Sequence, residues 1–411
     1  KNNRKGIFFM NVIISIIVNI ALILGIITGA GTIGVKSNLK FIRDEVKQIE
    51  YENQLIPTVD EDGTYKFTTD RDFRILHLTD IHIGAGSFST SKDLKALNAV
   101  AAMVTEEKPD LVVVTGDVVY PVPLQAGTKD NEKSARMFAE LMEKLGVYWC
   151  LVYGNHDTDE HAMLNRDEAS DLYMDKEKYP HCLLQKGPED IDGVGNYIIN
   201  IENSRGEIIQ SLVMVDSNAY VERHLWGMIG KYDCVHKNQV EWYENQIVAL
   251  TEKNGGKTPK SMVFMHIPVT EMLDAYTEYK ENGFNDTENV QYLGGKIGEK
   301  KGAVSCSPNN FGFFDAIRRS GSTQAVFCGH DHMNNAGFRY KGIDLFCGMS
   351  VDYLAYPGIY RYGAQRGCNV LTVNRDGSYE YKHESYYQDK YVPIRPKEKV
   401  NFDDMYEVEM P

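Results

Sequence analysis

Residues 325–332 read AVFCGHDH, an octet in which an apolar run leads into a cluster of polar side chains. A short apolar run leads to a glycine, and the glycine is followed by two histidines on either side of an aspartate. Neutral imidazole is the commonest transition-metal ligand that proteins offer. The octet alone is consistent either with a metal site or with a polar turn after a buried strand.

Four more apolar runs end in side chains of the same kind. Such runs alternate along the chain with helical patterns, near residues 92–107 and 132–145, which indicates an α/β fold with two sheets back to back. Because the carboxyl ends of strands open onto a common crevice in such folds, we expect the polar side chains to converge there. The four runs are RILHLTDIH (74–82), LVVVTGD (111–117), YWCLVYGNHD (148–157) and SMVFMHIP (261–268).

The spacing within these motifs supports convergence. Asp80 and His82 are two residues apart, as are His330 and His332, so in extended backbone both members of each pair lie on one face. A residue without a Cβ allows a sharp turn and a close approach of the backbone. Glycine directly precedes three of the candidate side chains, at Gly116, Gly154 and Gly329.

In order along the chain, the motifs DxH, GD, GNHD, the histidine of HIP and GHDH resemble those of the calcineurin-like metallophosphoesterase superfamily. The ordered set is specific, and the resemblance covers residues 73–373. The segments GDVVY, VFMH and GHDHMNN are similar to the purple-acid-phosphatase-like branch, and GVGNYIINI, VDSNAY and QVEWYEN to its class III members. The resemblance implies a four-layer αββα sandwich of two mixed sheets and a phosphoesterase that uses two metal ions.

The resemblance also implies a role for each matched residue. Asp117 would bridge the two ions, which we expect to be manganese, iron or zinc. His156 would protonate the leaving oxygen or stabilise the charge that develops there, and Asp157 would orient it. The first ion would be held by Asp80, His82 and His332, and the second by Asn155, His266 and His330.

One position departs from the purple acid phosphatases. They have glycine where this chain has His82, and they bind ferric iron through the tyrosine of GDxxY, which here is Tyr120. Because His82 completes the first-metal set, packing is the expected role of Tyr120, and coordination is the alternative. Obligatory ferric iron is therefore not implied.

The composition bounds the partners. Acidic residues exceed basic ones by 58 − 44 = 14, so a surface for nucleic acid is not expected. We expect a phosphate-ester substrate and no obligate protein partner. The seven cysteines suggest no disulfide framework, although pairing stays open among Cys182, Cys234, Cys306 and Cys368.

The N-terminal residues 6–35 carry no charge and are long enough to cross a hydrocarbon core of roughly 30 Å. A cleaved signal peptide has a shorter apolar region, so we predict an uncleaved single-pass membrane anchor, with cleavage as the alternative. Flanking basic residues leave the orientation open, and we expect the catalytic domain to be extracytoplasmic.

The predicted division of the chain follows from these patterns. A basic tail and anchor occupy residues 1–35, a stalk or linker residues 36–70, the metallophosphoesterase domain residues 71–390, and a C-terminal tail residues 391–411. Within the linker, the spacing of Leu39, Ile42, Val46 and Ile49 indicates a short amphipathic helix.

Two functions are consistent with the sequence. The first is a membrane-anchored, dinuclear-metal phosphoesterase that hydrolyses phosphomonoesters or phosphodiesters through a hydroxide bridging the metals. The second is a catalytically weak binding module on the metallophosphoesterase fold, whose expected mark is a broken ligand set. Every ligand position is filled here, so we predict a metal-dependent phosphoric ester hydrolase and leave its substrate open.

Overall fold

The structure is a computed structural model that describes residues 31–224, 229–299, 303–356 and 366–400. Helices and strands alternate through most of this length. In the first half they are α1 (residues 31–44), β1 (Thr58–Val59), β2 (Tyr65–Thr68), β3 (Phe73–Leu78), α2 (Thr90–Glu107), β4 (Leu111–Thr115), α3 (Pro123–Ala126), α4 (Asn131–Leu145), β5 (Trp149–Val152) and α5 (Arg166–Tyr173).

The second half contains more strands than helices. Its elements are β6 (Tyr197–Glu202), β7 (Ile208–Met214), β8 (Tyr220–His224), β9 (Ile229–Tyr232), α6 (Lys237–Lys253), β10 (Lys260–Phe264), α7 (Thr270–Glu281), β11 (Val290–Gly294), α8 (Phe313–Ser320), β12 (Thr323–Cys328), β13 (Gly337–Tyr340), β14 (Ile343–Cys347), β15 (Gly367–Val373) and β16 (Tyr379–Ser385).

Two mixed sheets form the centre of the fold. The larger has nine strands in the order β1-β2-β6-β7-β10-β12-β14-β13-β11, and β7, β10, β12 and β14 run parallel within it. The smaller has five strands in the order β16-β15-β3-β4-β5, with β3, β4 and β5 parallel. The predicted α/β fold with two mixed sheets is confirmed.

Successive side chains along the strands of the larger sheet point to opposite faces, and this divides the hydrophobic core into two parts. Phe264, Phe327 and Phe346 on neighbouring strands stack with ring centroids 5.1 and 5.3 Å apart and face the smaller sheet. Val263 and Val326, one residue away on the same strands, pack instead in the core that includes α6, α7 and α8. Helices α2 and α4 cover the smaller sheet, so the layers are helix, sheet, sheet and helix.

The carboxyl ends of the parallel strands meet at one edge of the two sheets. The main-chain amide of Asp80 after β3 donates to the carbonyl of Gly116 after β4, at 3.1 Å. Across the sheets, the amide of His330 donates to the Asp80 carboxylate at 3.0 Å. Side chains that follow strands of different sheets are therefore brought into contact.

The segment that we predicted as a linker, residues 36–70, packs on the domain. Phe41, Ile42 and Val46 are at most 3% exposed, and the amide of Ile49 donates to the carbonyl of Leu145 at the end of α4. Strand β2 pairs with β6 and extends the larger sheet. The sequence did not predict these contacts, because the segment is polar in composition and the residues that it contacts lie far away in the chain.

The predicted C-terminal tail also has ordered contacts over its described part, residues 391–400. Tyr391 is buried, and its hydroxyl donates to Glu107 at 2.6 Å. The main-chain amide of Arg395 donates to the side chain of Asn98 in α2 at 2.9 Å, and the Asn98 amide donates back to its carbonyl. These residues belong to the folded domain.

Among the residues that the structure describes, no helix combines the length and apolar character needed to cross a membrane. The predicted anchor at residues 6–35 lies outside the described residues except for its last five. All seven cysteines are free.

The packing of α1 can be tested by two isoleucines on the same helix. Ile42 is 2% exposed and Ile33 is 71% exposed. We expect Ile42→Ala to lower the free energy of unfolding by about 2–5 kcal/mol because it leaves a cavity in the hydrophobic core. We expect Ile33→Ala to change it by less than about 0.5 kcal/mol. Urea unfolding measures both, and equal small effects would mean that this segment is a free stalk.

Candidate metal centre

Five strands deliver the predicted ligand side chains to the edge where the two sheets meet. Residues after β3, β4 and β5 come from the smaller sheet, and residues after β10 and β12 come from the larger. The side chains lie in the interior, with little or no solvent exposure. They are Asp80, His82, Asp117, Asn155, His266, His330 and His332.

The acidic and imidazole side chains form two sets that share Asp117. Within each set, one ligand atom from every residue lies within 4.8 Å of the others, which is the separation that ligands of one metal ion require. The first set is Asp80, His82, Asp117 and His332, and the second is Asp117, His266 and His330.

Asp117 lies between the two sets. Its Oδ2 atom is 3.2 Å from Nε2 of His82 and 3.3 Å from Nε2 of His266. Asn155 joins the second set, because its Oδ1 atom is 3.1 Å from Nε2 of His266 while its amide donates to the hydroxyl of Tyr220 at 2.7 Å. The side-chain NH₂ group of Asn155 therefore points to Tyr220, and its neutral oxygen points towards the His266 imidazole.

Hydrogen bonds fix the orientation of His266. Its Nδ1 atom donates to the carbonyl of Thr115 at 2.7 Å, because a carbonyl oxygen can only accept. In the neutral imidazole the lone pair is then on Nε2, which faces Asp117 and Asn155. Histidines that bind a metal through one ring nitrogen are commonly oriented by a hydrogen bond from the other ring nitrogen.

The backbone at the site is in an unusual conformation. Left-handed φ angles occur at Asp80 (51°), His82 (54°), Asp117 (52°) and His330 (76°). Such angles in non-glycine residues cluster at functional sites. At Gly154, a Cβ atom would lie 2.1 Å from Oδ1 of Asp117, so only glycine lets the backbone approach the shared carboxylate.

The electrostatics favour positive charge at the centre. Burial alone raises the pKa of the Asp117 carboxyl, but the charges of His266 and His156 hold that pKa well below its usual range. For the His82 imidazole, burial alone would lower the pKa, but the neighbouring carboxylates of Asp352 and Asp117 raise that pKa well above its ordinary value. The imidazoles and carboxylates thus stabilise one another's charge, and bound cations would offer the buried carboxylates the same compensation.

Three buried atoms of the ligand candidates have no hydrogen-bond partner among the described residues. They are Oδ1 of Asp80, Nδ1 of His82 and Nε2 of His330. A buried polar atom without a partner costs free energy, so Oδ1 of Asp80 and Nε2 of His330 are each expected to have a ligand of another kind. Carboxylate, imidazole and amide oxygen together suit manganese, iron or zinc. The residues therefore fit a metal centre.

His156 lies beside this cluster, with its side chain a quarter exposed. Its main-chain amide donates to Oδ1 of Asp117 at 2.8 Å, and its Nδ1 atom is 3.0 Å from Oδ2 of Asp159. Asp157, which we predicted to orient His156, instead accepts hydrogen bonds from the amides of Asp117, Val119 and Gly154. The carboxylate that orients His156 is therefore Asp159, because the turn after β5 directs Asp157 into the backbone behind the site.

Tyr120 packs against the histidines of the site. Its ring centroid is 4.9 Å from that of His82 and 4.8 Å from that of His156, both edge-on. Its hydroxyl donates to the side chain of Gln125 at 2.5 Å. These contacts agree with packing as the role of Tyr120.

Sequence reasoning missed Asp352. It follows β14, and its carboxylate is 3.1 Å from Nδ1 of His332 and 3.5 Å from Nδ1 of His82. The rule that polar side chains follow parallel strands could have found it had we extended the rule to the run IDLFC. No motif of the family resemblance includes this residue.

The chain is similar in sequence to two plant proteins named as probable inactive purple acid phosphatases and to a yeast phosphatase. The chain is 30% identical to Probable inactive purple acid phosphatase 14 of Arabidopsis thaliana, over 71% of this chain and 73% of that protein. It is 26% identical to Probable inactive purple acid phosphatase 29 of the same plant, over 78% and 81% of the two chains. It is 27% identical to Phosphatase DCR2 of Saccharomyces cerevisiae, over 65% of this chain and 45% of that protein.

The family model for calcineurin-like phosphoesterases matches residues 73–334, which include all the ligand candidates. The resemblance that we drew from the ordered motifs is confirmed. With more than half of its length matched, the chain belongs to the calcineurin-like phosphoesterase family.

Proposed function

We propose that this protein is a dinuclear-metal phosphoesterase that hydrolyses phosphomonoesters or phosphodiesters. The observation that carries the proposal is the shared carboxylate of Asp117 between two sets of ligand side chains. Two cations that share a carboxylate are the arrangement used to clamp the attacking and leaving oxygens of a phosphoryl transfer. The complete ligand set supports hydrolysis.

The side chains would divide between two ions of manganese, iron or zinc. Asp117 would belong to both ligand sets. When bound, the two ions would polarise a phosphoryl oxygen and lower the pKa of a water nucleophile. Asp80, His82 and His332 would hold one ion, and Asn155, His266 and His330 would hold the other.

His156 is the proton donor in this proposal. With Nδ1 held by Asp159, the Nε2 atom is the one that can face a substrate, and the partial exposure of the ring leaves room for one. A proton on Nε2 can move to the leaving oxygen as the ester bond breaks. The packing of Tyr120 against the ring limits its rotation.

A binding module is the alternative function, and the printed names of the two plant relatives include the words "probable inactive". The yeast relative is named a phosphatase. A protein that binds without hydrolysis has no need to keep seven ligands, a partly exposed imidazole and the carboxylate that orients it. Their joint presence here supports an enzyme.

We also propose that the uncharged residues 6–35 anchor the chain in a membrane, with the catalytic domain outside the cytoplasm. The support is the length of the apolar run. No nucleic acid and no obligate protein partner are needed for the proposed reaction.

Removal of the shared carboxylate tests the proposed reaction. We expect Asp117→Ala to lose metal and to lower kcat/KM by about 10³-fold, since metal catalysis contributes several kcal/mol and each 1.36 kcal/mol is tenfold. Metal content and hydrolysis of chromogenic mono- and diesters would be measured after reloading with manganese, iron or zinc. Asp110→Ala, at the opposite end of β4, is the matched control and should retain both. Equal rates for wild type and Asp117→Ala with every metal would contradict hydrolysis.

The proposed donor can be tested separately from the metals. We expect His156→Ala to retain metal and to lose roughly 10²–10⁴-fold in kcat, which is the range for a general acid. Asp159→Asn should lose less, because the imidazole stays in place. The control is His161→Ala, whose ring nitrogen bonds the carbonyl of Pro121 outside the cluster. Loss of metal from His156→Ala would mean that this residue is a ligand.

The anchor can be tested by fractionation. We expect the full chain to stay in the membrane fraction after a high-salt wash, because the apolar run buries its side chains in lipid. A chain that starts at residue 31 should be released. Release of the full chain by salt would contradict the anchor.

A further inference from the structure

Asp352 contacts both histidines of the first ligand set on the side away from the other carboxylates. Its Oδ2 atom is 3.1 Å from Nδ1 of His332, and its Oδ1 atom is 3.5 Å from Nδ1 of His82. The side chain is fully buried. An ionised carboxylate can only accept, so Nδ1 of His332 is the donor.

The opposite nitrogens of the same rings face the proposed metal position. Nε2 of His82 is 3.2 Å from Oδ2 of Asp117, and Nε2 of His332 is 3.5 Å from Oδ1 of Asp80. With its proton on Nδ1, the His332 imidazole presents its lone pair at Nε2. The same carboxylate lies 3.5 Å from Nδ1 of His82, so it orients one ligand by a hydrogen bond and lies beside the other.

Asp352 is itself held firmly. Its carboxylate accepts the main-chain amides of Leu354, Ala355 and Tyr356 at 2.6, 2.8 and 2.8 Å. Its carbonyl accepts Nε of Arg366 at 2.8 Å. Because these hydrogen bonds hold the carboxylate in place, it does not move when a neighbouring imidazole ring rotates. The orientation of the ring therefore has to match the position of the carboxylate.

Arg366 connects this loop to the C-terminal segment. The guanidinium lies 3.9 Å from the ring centroid of Tyr353 and forms an ion pair with Glu398 at 3.1 Å. The arginine is 2% exposed, so the pair is little weakened by solvent. The loop that contains Asp352 is therefore held in place by residues that belong to none of the sequence motifs.

The second ligand set has a different support. His266 donates its Nδ1 proton to the carbonyl of Thr115, which carries no full charge. We propose that Asp352 is a positioning residue for one metal ion only, the ion held by Asp80, His82 and His332. This inference rests on the proposed dinuclear centre and adds a residue that the resemblance does not assign.

The test is the affinity of each site for Mn²⁺ in Asp352→Asn. Loss of an outer partner typically weakens metal binding 10–100-fold, and we expect this loss at one of the two sites, with the other unchanged. Asp352→Glu, which restores the charge, should recover part of the affinity. The matched control is Asp110→Asn, a buried carboxylate that accepts an amide of the chain far from the centre, and both of its affinities should equal those of wild type.

A second measurement uses the wild-type protein and does not depend on how the variant folds. In the Zn²⁺-loaded protein, ¹⁵N-labelled His332 should show its proton on Nδ1. A proton on Nε2, unchanged Mn²⁺ affinities in Asp352→Asn, or equal loss at both sites would overturn the role of Asp352 and leave the dinuclear centre standing. Failure of the wild type to bind any metal would instead overturn the proposed function.

Discussion

The buried negative charge of Asp117 is the constraint on which the rest of the site depends. A carboxylate in the interior is stable only where positive charge and hydrogen-bond donors surround it. Here the imidazoles near its Oδ2 atom come from both sheets, with His82 following a strand of the smaller sheet and His266 following a strand of the larger. The two sheets must therefore keep a fixed relative position, and the stacked phenylalanines between them supply the packing that does so.

The sequence predicted which side chains meet at this edge of the sheets because they obey a local rule. Each candidate follows an apolar strand, and the carboxyl ends of parallel strands share one edge, so strand order was not needed to expect that Asp117 and His330 approach one another. Both sheets and most helices were predictable for a second reason. Strand and helix patterns alternate along the chain, and this alternation is itself a local feature of the sequence.

What the sequence could not predict depended on contacts between distant residues. Asp157 and Asp159 are both acidic and near His156, and only the turn after β5 decides which of them reaches the ring. Asp352 follows a parallel strand as the other candidates do, but it lies in no recognisable motif, and only the folded structure shows which histidines it lies beside. Ile42 has the spacing of an amphipathic helix, but its burial depends on residues of the domain core that lie far away in the sequence, so a packed helix and a free stalk could not be distinguished.

The names of the plant relatives raise the question of what distinguishes an active member of this family from one that has kept only the fold. The geometry gives a physical criterion. The ligands alone do not define activity, because a metal can be retained for stability. The combination of a complete ligand set with an oriented, partly exposed imidazole at its edge is the feature to compare among relatives.

The left-handed backbone at four of the site residues has a consequence for metal uptake. Such conformations cost on the order of 1–3 kcal/mol each, and the surrounding strands impose them as the chain folds. The candidate ligands are then preorganised, so a cation that bound them would have little chain entropy to remove. The proposed centre would keep as affinity the free energy that a flexible loop loses on becoming ordered, and it could load metal after folding is complete.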